Sequence, residues 1–159
     1  MDTQRHEHFI GMALEQGKRA EELGNSPIGS LIVKNDEIVG VGYNSVISGR
    51  DPTAHAEVQA IRDASRRLST ADLSGCTCYT VMEPCPMCCW ALVEANVDRL
   101  VLGARHAAMK KFAPPARNDY GDYAVEDLLA MTGKGLEVVS GIRAEECERN
   151  RSRWRPKHR

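Results

Sequence analysis

Two short stretches constrain this chain more than any other feature: His55-Ala56-Glu57 and Pro84-Cys85-Pro86-Met87-Cys88. Together they supply one imidazole and two thiols, which are ligands that zinc accepts readily. A catalytic zinc keeps three protein ligands, so that water can take the fourth position. The sequence therefore predicts a fold that brings His55, Cys85 and Cys88 together around one zinc ion per subunit.

The spacing of the two cysteines indicates how a helix could present them. Cys85 and Cys88 stand three residues apart just after a proline, so a helix that starts there places both on its first-turn face. The positive end of the helix dipole also favours their thiolates.

Glu57 has no ligand role in this scheme, and it separates a structural zinc from a catalytic one. Two thiolates cancel the charge of Zn²⁺, which leaves a weaker Lewis acid than a zinc held by three histidines, so help with the water proton is useful. Zinc can lower the pKa of its water from about 15.7 towards about 7, and a positioned proton shuttle adds roughly 10² to 10⁴ in rate. Glu57 is the natural base.

The order His-x-Glu followed by Pro-Cys-x-x-Cys is the known pattern of zinc deaminases. The chain resembles the cytidine-deaminase-like zinc aminohydrolases, in particular the branch with cytosine, guanine and tRNA adenosine deaminases. The resemblance covers most of the chain and runs through Pro27-Ile28-Gly29, Gly42-Tyr43-Asn44, residues 51–57, residues 83–88 and Gly103-Ala104-Arg105.

The resemblance implies hydrolytic deamination with release of ammonia. Glu57 would take a proton from water, give one to the ring nitrogen and assist the departing amine. Asn44 and the backbone N–H of Ala56 would hold the edge of the base, and the carbonyl of Glu83 would meet the leaving group. The resembling branch also implies a homodimer whose subunits complete each other's pockets.

The pattern of apolar and turn residues predicts an α/β fold, with a tight hairpin turn at Asn35-Asp36 between the first two strands. A helical crossover between strands four and five permits them to be parallel, and the predicted architecture is a three-layer α/β/α sandwich with a five-stranded mixed sheet, strands four and five parallel. The predicted strands are 28–33, 37–43, 76–82, 99–103 and 136–139. The predicted helices are 2–23, 52–67 with an N-cap in Asp51-Pro52-Thr53 and proline at N1, 86–95, 124–131 and 143–153.

Length and composition fit one globular domain: 159 residues, 27% charged and 42% hydrophobic. We expect a single zinc deaminase domain over residues 1–148 and a basic tail over 149–159 that continues the last helix and is then disordered. The sequence contains neither an apolar signal segment nor a membrane span, so we predict a cytoplasmic protein. Six cysteines then indicate metal ligands and buried thiols rather than disulfides.

The distribution of charge along the chain and the loop after strand four indicate which class of substrate to expect. The tail carries six basic residues, so residues 1–148 hold a net charge of −7 within a total of −1. An acidic body matches a polyanion poorly, because nucleic-acid affinity comes mostly from phosphate neutralisation. In the loop after strand four, guanine deaminases have an acid where this chain has His106-Ala107-Ala108-Met109, and tRNA enzymes have Asp where this chain has His106.

The sequence thus predicts a small-molecule substrate, a free base or nucleoside that is guanine-like, cytosine-like or a modified purine, with nucleic acid unlikely as a partner. The alternative is a tRNA-specific adenosine deaminase, which the basic tail supports. A structural zinc module of Cys76, Cys78, Cys85 and Cys88 would leave His55 and Glu57 unexplained.

A thiol redox protein using Cys85 and Cys88 is a further alternative, which the paired motif disfavours. Segment 104–123, which contains Pro114-Pro115, indicates either a lid or a mobile surface loop. Trp90 stands where the resembling proteins have a small residue, which alters a pocket wall or dimer surface. Trp154 is expected to pack on its own subunit, and the alternatives are that it docks on a partner subunit or closes the site.

Overall fold

The computed structural model describes residues 2–112 and 120–156. Its strands form one five-stranded sheet in the order β2-β1-β3-β4-β5, with β1 antiparallel to β2 and β3, and with β3–β4 and β4–β5 parallel. The predicted mixed sheet, with its last two strands parallel, is confirmed. The strands are Gly29–Lys34 (β1), Glu37–Tyr43 (β2), Thr77–Met82 (β3), Arg99–Ala104 (β4) and Glu137–Val139 (β5).

Helices cover both faces of the sheet, which confirms the predicted three layers. Alternate residues of β4 point to opposite faces, as the strand period of two requires: Leu100 packs with α3, α4 and α6, whereas Val101 packs with α1 and α7. The helices are Asp2–Glu22 (α1), Val46–Gly49 (α2), Ala56–Leu68 (α3), Pro86–Glu94 (α4), His106–Met109 (α5), Val125–Leu129 (α6) and Ala144–Arg153 (α7).

The predicted tight turn between β1 and β2 is confirmed. Asn35 and Asp36 have φ of 50° and 64°. Positive φ at both central residues matches the turn to the right-handed twist of a hairpin.

The predicted start of α3 is wrong. The helix begins at Ala56 with His55 as its N-cap, and the Asp51 carboxylate instead accepts hydrogen bonds from the backbone N–H and the hydroxyl of Thr53, at 2.8 and 2.7 Å. Aspartate can cap a helix or close a local turn, and residue type alone does not distinguish the two. As a result His55 stands just before the helix, and Glu57 stands in its first turn.

Helices α2 and α5 lie in segments that the sequence predicted as loops. The buried side chain of Asn25 accepts hydrogen bonds from the backbone N–H groups of Ile47 and Ser48, both at 3.0 Å. The start of α2 is therefore stabilised by a residue more than twenty positions earlier, which no local pattern reveals.

Helix α3 lies unusually close to β2. A Cβ on Gly42 would stand 2.1 Å from the carbonyl oxygen of Ala56, and one on Gly40 would stand 2.5 Å from that of Ala60. Only glycine permits this approach. The two glycines therefore set the depth at which the start of α3 sits against the sheet.

The structure describes only part of the predicted lid and of the predicted basic tail. Pro114-Pro115 of the predicted lid and residues 157–159 of the predicted tail lie outside the described residues. Among the helices that the structure describes, none has the length and apolarity needed to cross a bilayer. The division into residues 1–148 and 149–159 stays a prediction.

Candidate metal centre

The three predicted ligands meet where two helices begin at one edge of the sheet. His55 is the N-cap of α3, and Cys85 is the N-cap of α4, with Pro86 in its first turn. The His55 Nδ1 lies 3.5 Å from the Cys85 Sγ and 3.4 Å from the Cys88 Sγ, and the three ligand atoms lie within 4.8 Å of one another. The fold thus brings together residues that are about thirty positions apart.

This geometry fits a tetrahedral zinc. Zn–S bonds of about 2.3 Å and Zn–N bonds of about 2.0 Å hold ligand atoms roughly 3.5 Å apart, close to the observed separations. Within residues 2–112 and 120–156 no other group of three or more His, Cys, Asp or Glu side chains has metal-binding spacing. The predicted cofactor, one Zn²⁺ per subunit, is confirmed as the ion that suits this donor set.

The alternative structural module is not formed. Cys78 lies in β3, where its Sγ is 3.4 Å from the hydroxyl of Ser30, and burial raises the pKa of Cys78 to about 12. Neither Cys76 nor Cys78 lies in the cluster of ligand atoms that His55, Cys85 and Cys88 form. All six cysteines are free and buried, and Cys85 and Cys88 face His55 rather than forming an isolated redox pair.

Negative charge concentrates in the pocket between the two helix starts. A hydrogen bond from Cys88 lowers the pKa of Cys85 to about 4. The ionised Cys85 and burial together raise the pKa of Cys88, and the nearby Glu57 carboxylate adds to that effect. Buried like charges are costly unless they are paired with a cation, so a divalent metal relieves this repulsion.

Glu57 lies in the first turn of α3 and is only 4% exposed. Burial raises the pKa of its carboxyl group. The hydroxyl of Thr80 donates a hydrogen bond of 3.1 Å to the Glu57 Oε1, which helps to hold the carboxylate in place. Sequence reasoning missed Thr80; the available signal was a hydroxyl in a strand that is buried from Cys78 to Met82.

The predicted substrate contacts Asn44 and Ala56 both lie at this edge. The Asn44 Oδ1 accepts a hydrogen bond of 3.2 Å from the backbone N–H of Val46, and the Asn44 side-chain nitrogen has no partner within the described ranges. Ala56 is the first residue of α3 and is fully buried. Their roles toward a substrate stay predictions.

Glu83 has a side-chain role that the sequence did not indicate. Its carboxylate is 1% exposed and accepts hydrogen bonds from the backbone N–H of His106 at 2.9 Å, the backbone N–H of Val125 at 3.0 Å and the guanidinium of Arg105 at 3.0 Å. It therefore ties the end of β3 to the starts of α5 and α6. The predicted contact of the Glu83 carbonyl with the leaving group stays a prediction.

Tyr123 is a second residue near the site that sequence reasoning missed. Its hydroxyl donates a hydrogen bond of 3.0 Å to the carbonyl of Pro84, the residue before a zinc ligand. It comes from the segment after strand four, and no local motif marks it.

Comparisons with known proteins agree with this geometry. Residues 3–104 match the family model described as the cytidine and deoxycytidylate deaminase zinc-binding region. The tRNA-specific adenosine deaminase of Haemophilus influenzae is 36% identical over 155 residues, which are 96% of this chain and 84% of that protein. That of Aquifex aeolicus is 47% identical over 98 residues, so the match spans 62% of this chain and 65% of the relative.

Solved structures extend the similarity to the whole fold. A structure from a study of A-to-I editing by tRNA:A34 deaminases aligns with a TM-score of 0.76 at 29% identity, covering 90% of this chain and 98% of that one. Guanine deaminase from Nitrosomonas europaea aligns with a TM-score of 0.77 at 25% identity, covering 91% and 81%.

These relatives overturn two predictions. The preference for a free base or nucleoside is wrong, because the curated relatives that match this chain are tRNA-specific adenosine deaminases, and a structure from a study of tRNA:A34 deaminases shares its fold. The prediction of a small-molecule partner with nucleic acid unlikely fails for the same reason. The net charge was a poor guide to nucleic-acid binding because it averages over the whole chain. Phosphates contact a local surface, whose charge can differ from that average.

Proposed function

The chain belongs to the cytidine and deoxycytidylate deaminase zinc-binding family, and from that premise we propose that it is a tRNA-specific adenosine deaminase. It would convert an adenosine of tRNA to inosine and release ammonia. The observation that carries the proposal is the match to a tRNA-specific adenosine deaminase over 96% of this chain, with a His-Cys-Cys cluster assembled in the structure.

The proposed chemistry uses His55, Cys85 and Cys88 to hold zinc, which when bound supplies Lewis acidity that activates water. Glu57 then moves the protons. It accepts one from the attacking water, delivers one to the ring nitrogen of the adenine, and assists the departing amine. Burial raises the pKa of Glu57, which brings the carboxyl group nearer to the operating pH, where a proton shuttle is most effective.

The proposed base contacts come from the end of β2 and the start of α3. The free side-chain nitrogen of Asn44 can donate to an acceptor on the adenine edge. The backbone N–H of Ala56 is one of the amides that the first turn of a helix leaves without an internal partner. The carbonyl of Glu83 would meet the leaving amine.

We propose a homodimer, as the resemblance implies. Met87 and Trp90 lie one turn apart on α4 and are 39% and 42% exposed. Large apolar side chains exposed together suit a subunit contact, and they neighbour the zinc ligands of the same helix. A cytoplasmic location, where tRNA is found, also stays a proposal.

The decisive experiment offers the zinc-loaded protein separate substrates: tRNA with adenosine at the first anticodon position, free adenosine, adenine, guanine and cytosine. We expect inosine in the tRNA and no comparable ammonia release from the small molecules. A Glu57→Gln variant that keeps its zinc serves as the inactive control. Ammonia release from guanine or cytosine without inosine in tRNA would reject the proposal.

A further inference from the structure

The C-terminal end of α7 reaches the edge of the sheet where the zinc ligands lie. Helix α7 packs against β4 and contacts α5, and Arg151 lies near His106, the first residue of α5. Arg151 stands in this last turn, half-buried, with its guanidinium carbon 5.6 Å from the centre of the Trp154 ring that follows the helix. The last turn of α7 thus places the positive charge of Arg151 against the Trp154 ring, near the edge of the sheet where the zinc ligands lie.

Arg151 has no acidic partner within residues 2–112 and 120–156, unlike its neighbours. Arg143 on the same helix binds Glu146 at 2.6 Å, and Lys111 binds Glu148 at 2.5 Å. Burial and the nearby Arg155 lower the pKa of Arg151, although Tyr120 partly offsets this. A partly desolvated cation without an anion is unfavourable, so this side chain suits an anionic ligand from outside the chain.

An aromatic wall joins Arg151 to the metal centre. Tyr123 donates its hydroxyl to the carbonyl of Pro84, and its ring lies 6.1 Å from that of His106 and 6.2 Å from that of Tyr120, while the rings of His106 and Tyr120 are 5.0 Å apart. Arg151 is close enough to contribute to lowering the pKa of His106.

The wall also offers a hydrogen-bonding group. The Nε2 of His106 is buried and has no hydrogen-bond partner among the described residues. Buried polar atoms are rarely left unpaired, so the described part of the fold leaves one polar atom of the wall without a partner.

We propose that Arg151 binds a phosphate of the RNA beside the target adenosine, with the rings of Trp154, Tyr120 and His106 as the surface on which the flanking nucleotide lies. This inference rests on the proposed function. Arginine suits phosphate because its planar fork can donate two hydrogen bonds, and unpaired RNA bases stack on aromatic side chains. The site supplies a local cation that the acidic body lacks on average.

The test compares Arg151→Gln with Arg153→Gln. Arg153 lies in the same last turn but is exposed, and it binds Asn150 of its own helix at 2.7 Å. Both variants remove one positive charge from the same helix end, so effects on the helix dipole and on net charge are shared. Zinc content and melting temperature confirm that both variants fold.

Affinity is measured by fluorescence anisotropy with a labelled anticodon hairpin RNA, in a Glu57→Gln background that prevents turnover. We expect Arg151→Gln to raise Kd by about tenfold or more, the size of one charge-assisted contact. The slope of log Kd against log salt should flatten by about 0.7, the value for one phosphate contact on a single strand. Arg153→Gln should change both quantities far less.

If Arg151→Gln fails to fold, Arg151→Lys replaces it. Lysine keeps the charge but loses the fork, so its salt slope should stay near that of the parent while Kd rises. A Kd equal to that of the parent would contradict the phosphate contact.

Inosine formation by the unmodified protein separates this inference from the proposed function. An active enzyme with equal Kd changes in the two glutamine variants overturns the phosphate site and leaves the deaminase standing. RNA binding that depends on Arg151 without any inosine supports the site and overturns the proposed reaction. Failure both to bind and to edit overturns both.

Discussion

The metal centre and the aromatic wall beside it lie at one edge of the same sheet, yet they are built in opposite ways. The metal centre takes its groups from two short motifs at the starts of α3 and α4, and its ligand atoms already lie within 4.8 Å of one another. The wall is formed by His106 of α5 and by Tyr120 and Tyr123, which precede α6. Arg151 and Trp154 adjoin it at the end of α7. The zinc ligands are thus held by local sequence, whereas the proposed RNA-binding surface depends on distant segments.

The largest effect is expected when one of the zinc ligands is replaced. Cys88→Ser should lose zinc and all deaminase activity, because a serine hydroxyl does not replace a thiolate at a zinc site. Zinc per chain and inosine formation are the measurements.

Cys89→Ser is the matched control, since Cys89 is the adjacent buried thiol and is not in the ligand cluster. It should keep its zinc. If Cys89→Ser loses zinc and Cys88→Ser retains it, the assignment of ligands is wrong.

The next largest effect concerns proton transfer. Glu57→Gln should keep zinc and lower kcat by roughly 10² to 10⁴, the contribution of a positioned acid–base group. Thr80→Val should keep zinc and cause a smaller loss, because it frees the carboxylate oxygen that Thr80 now holds. A zinc-loaded Glu57→Gln with near-normal kcat would refute the proposed role of Glu57.

A third prediction tests the connection between the two regions. Glu83→Gln should lower the free energy of unfolding by about 1–3 kcal/mol, because the buried guanidinium contact and one backbone N–H lose a charged acceptor. Glu126 also binds Arg105, at 2.6 Å, but its side chain is 51% exposed, so Glu126→Gln should cost less than about 1 kcal/mol.

Urea denaturation of the zinc-loaded proteins measures both losses. Equal losses in the two variants would mean that the Glu83 carboxylate is not the connection between the end of β3 and the segments of the wall.

The smallest expected effect is on the pH dependence of stability, and it comes from a residue on the opposite face of the sheet from the metal centre. His6 is buried, its Nδ1 is 3.0 Å from the Tyr79 hydroxyl, and burial lowers the pKa of His6 below its usual 6.5. The unfolded chain therefore binds a proton more readily, so this contribution to stability is complete above pH 6.5 and decreases as the pH falls below it.

His6→Gln should remove that part of the pH dependence. The measurement is the difference in unfolding free energy between parent and variant across this pH range, which cancels the protonation of the zinc ligands. A difference that does not vary with pH would show that His6 is not held neutral by the fold.

Where the sequence predicted structure well, the signal was local. The turn at Asn35-Asp36, the start of α4 at Pro86 and the strands of the sheet follow from residues within a few positions of one another. The start of α3 was predicted too early, because Asp51 could serve either as a cap or in the turn that it actually closes with Thr53.

By itself, then, the sequence determined the sheet, the zinc ligands and the candidate base, because motifs and side-chain periodicity encode them within short windows. Only the tertiary structure decided that Glu83 joins three segments, that Asn25 supports α2, and that Arg151 reaches the edge of the site. These contacts join residues distant in the chain, and their formation depends on how the helices pack on the sheet, which neither net charge nor local pattern reports.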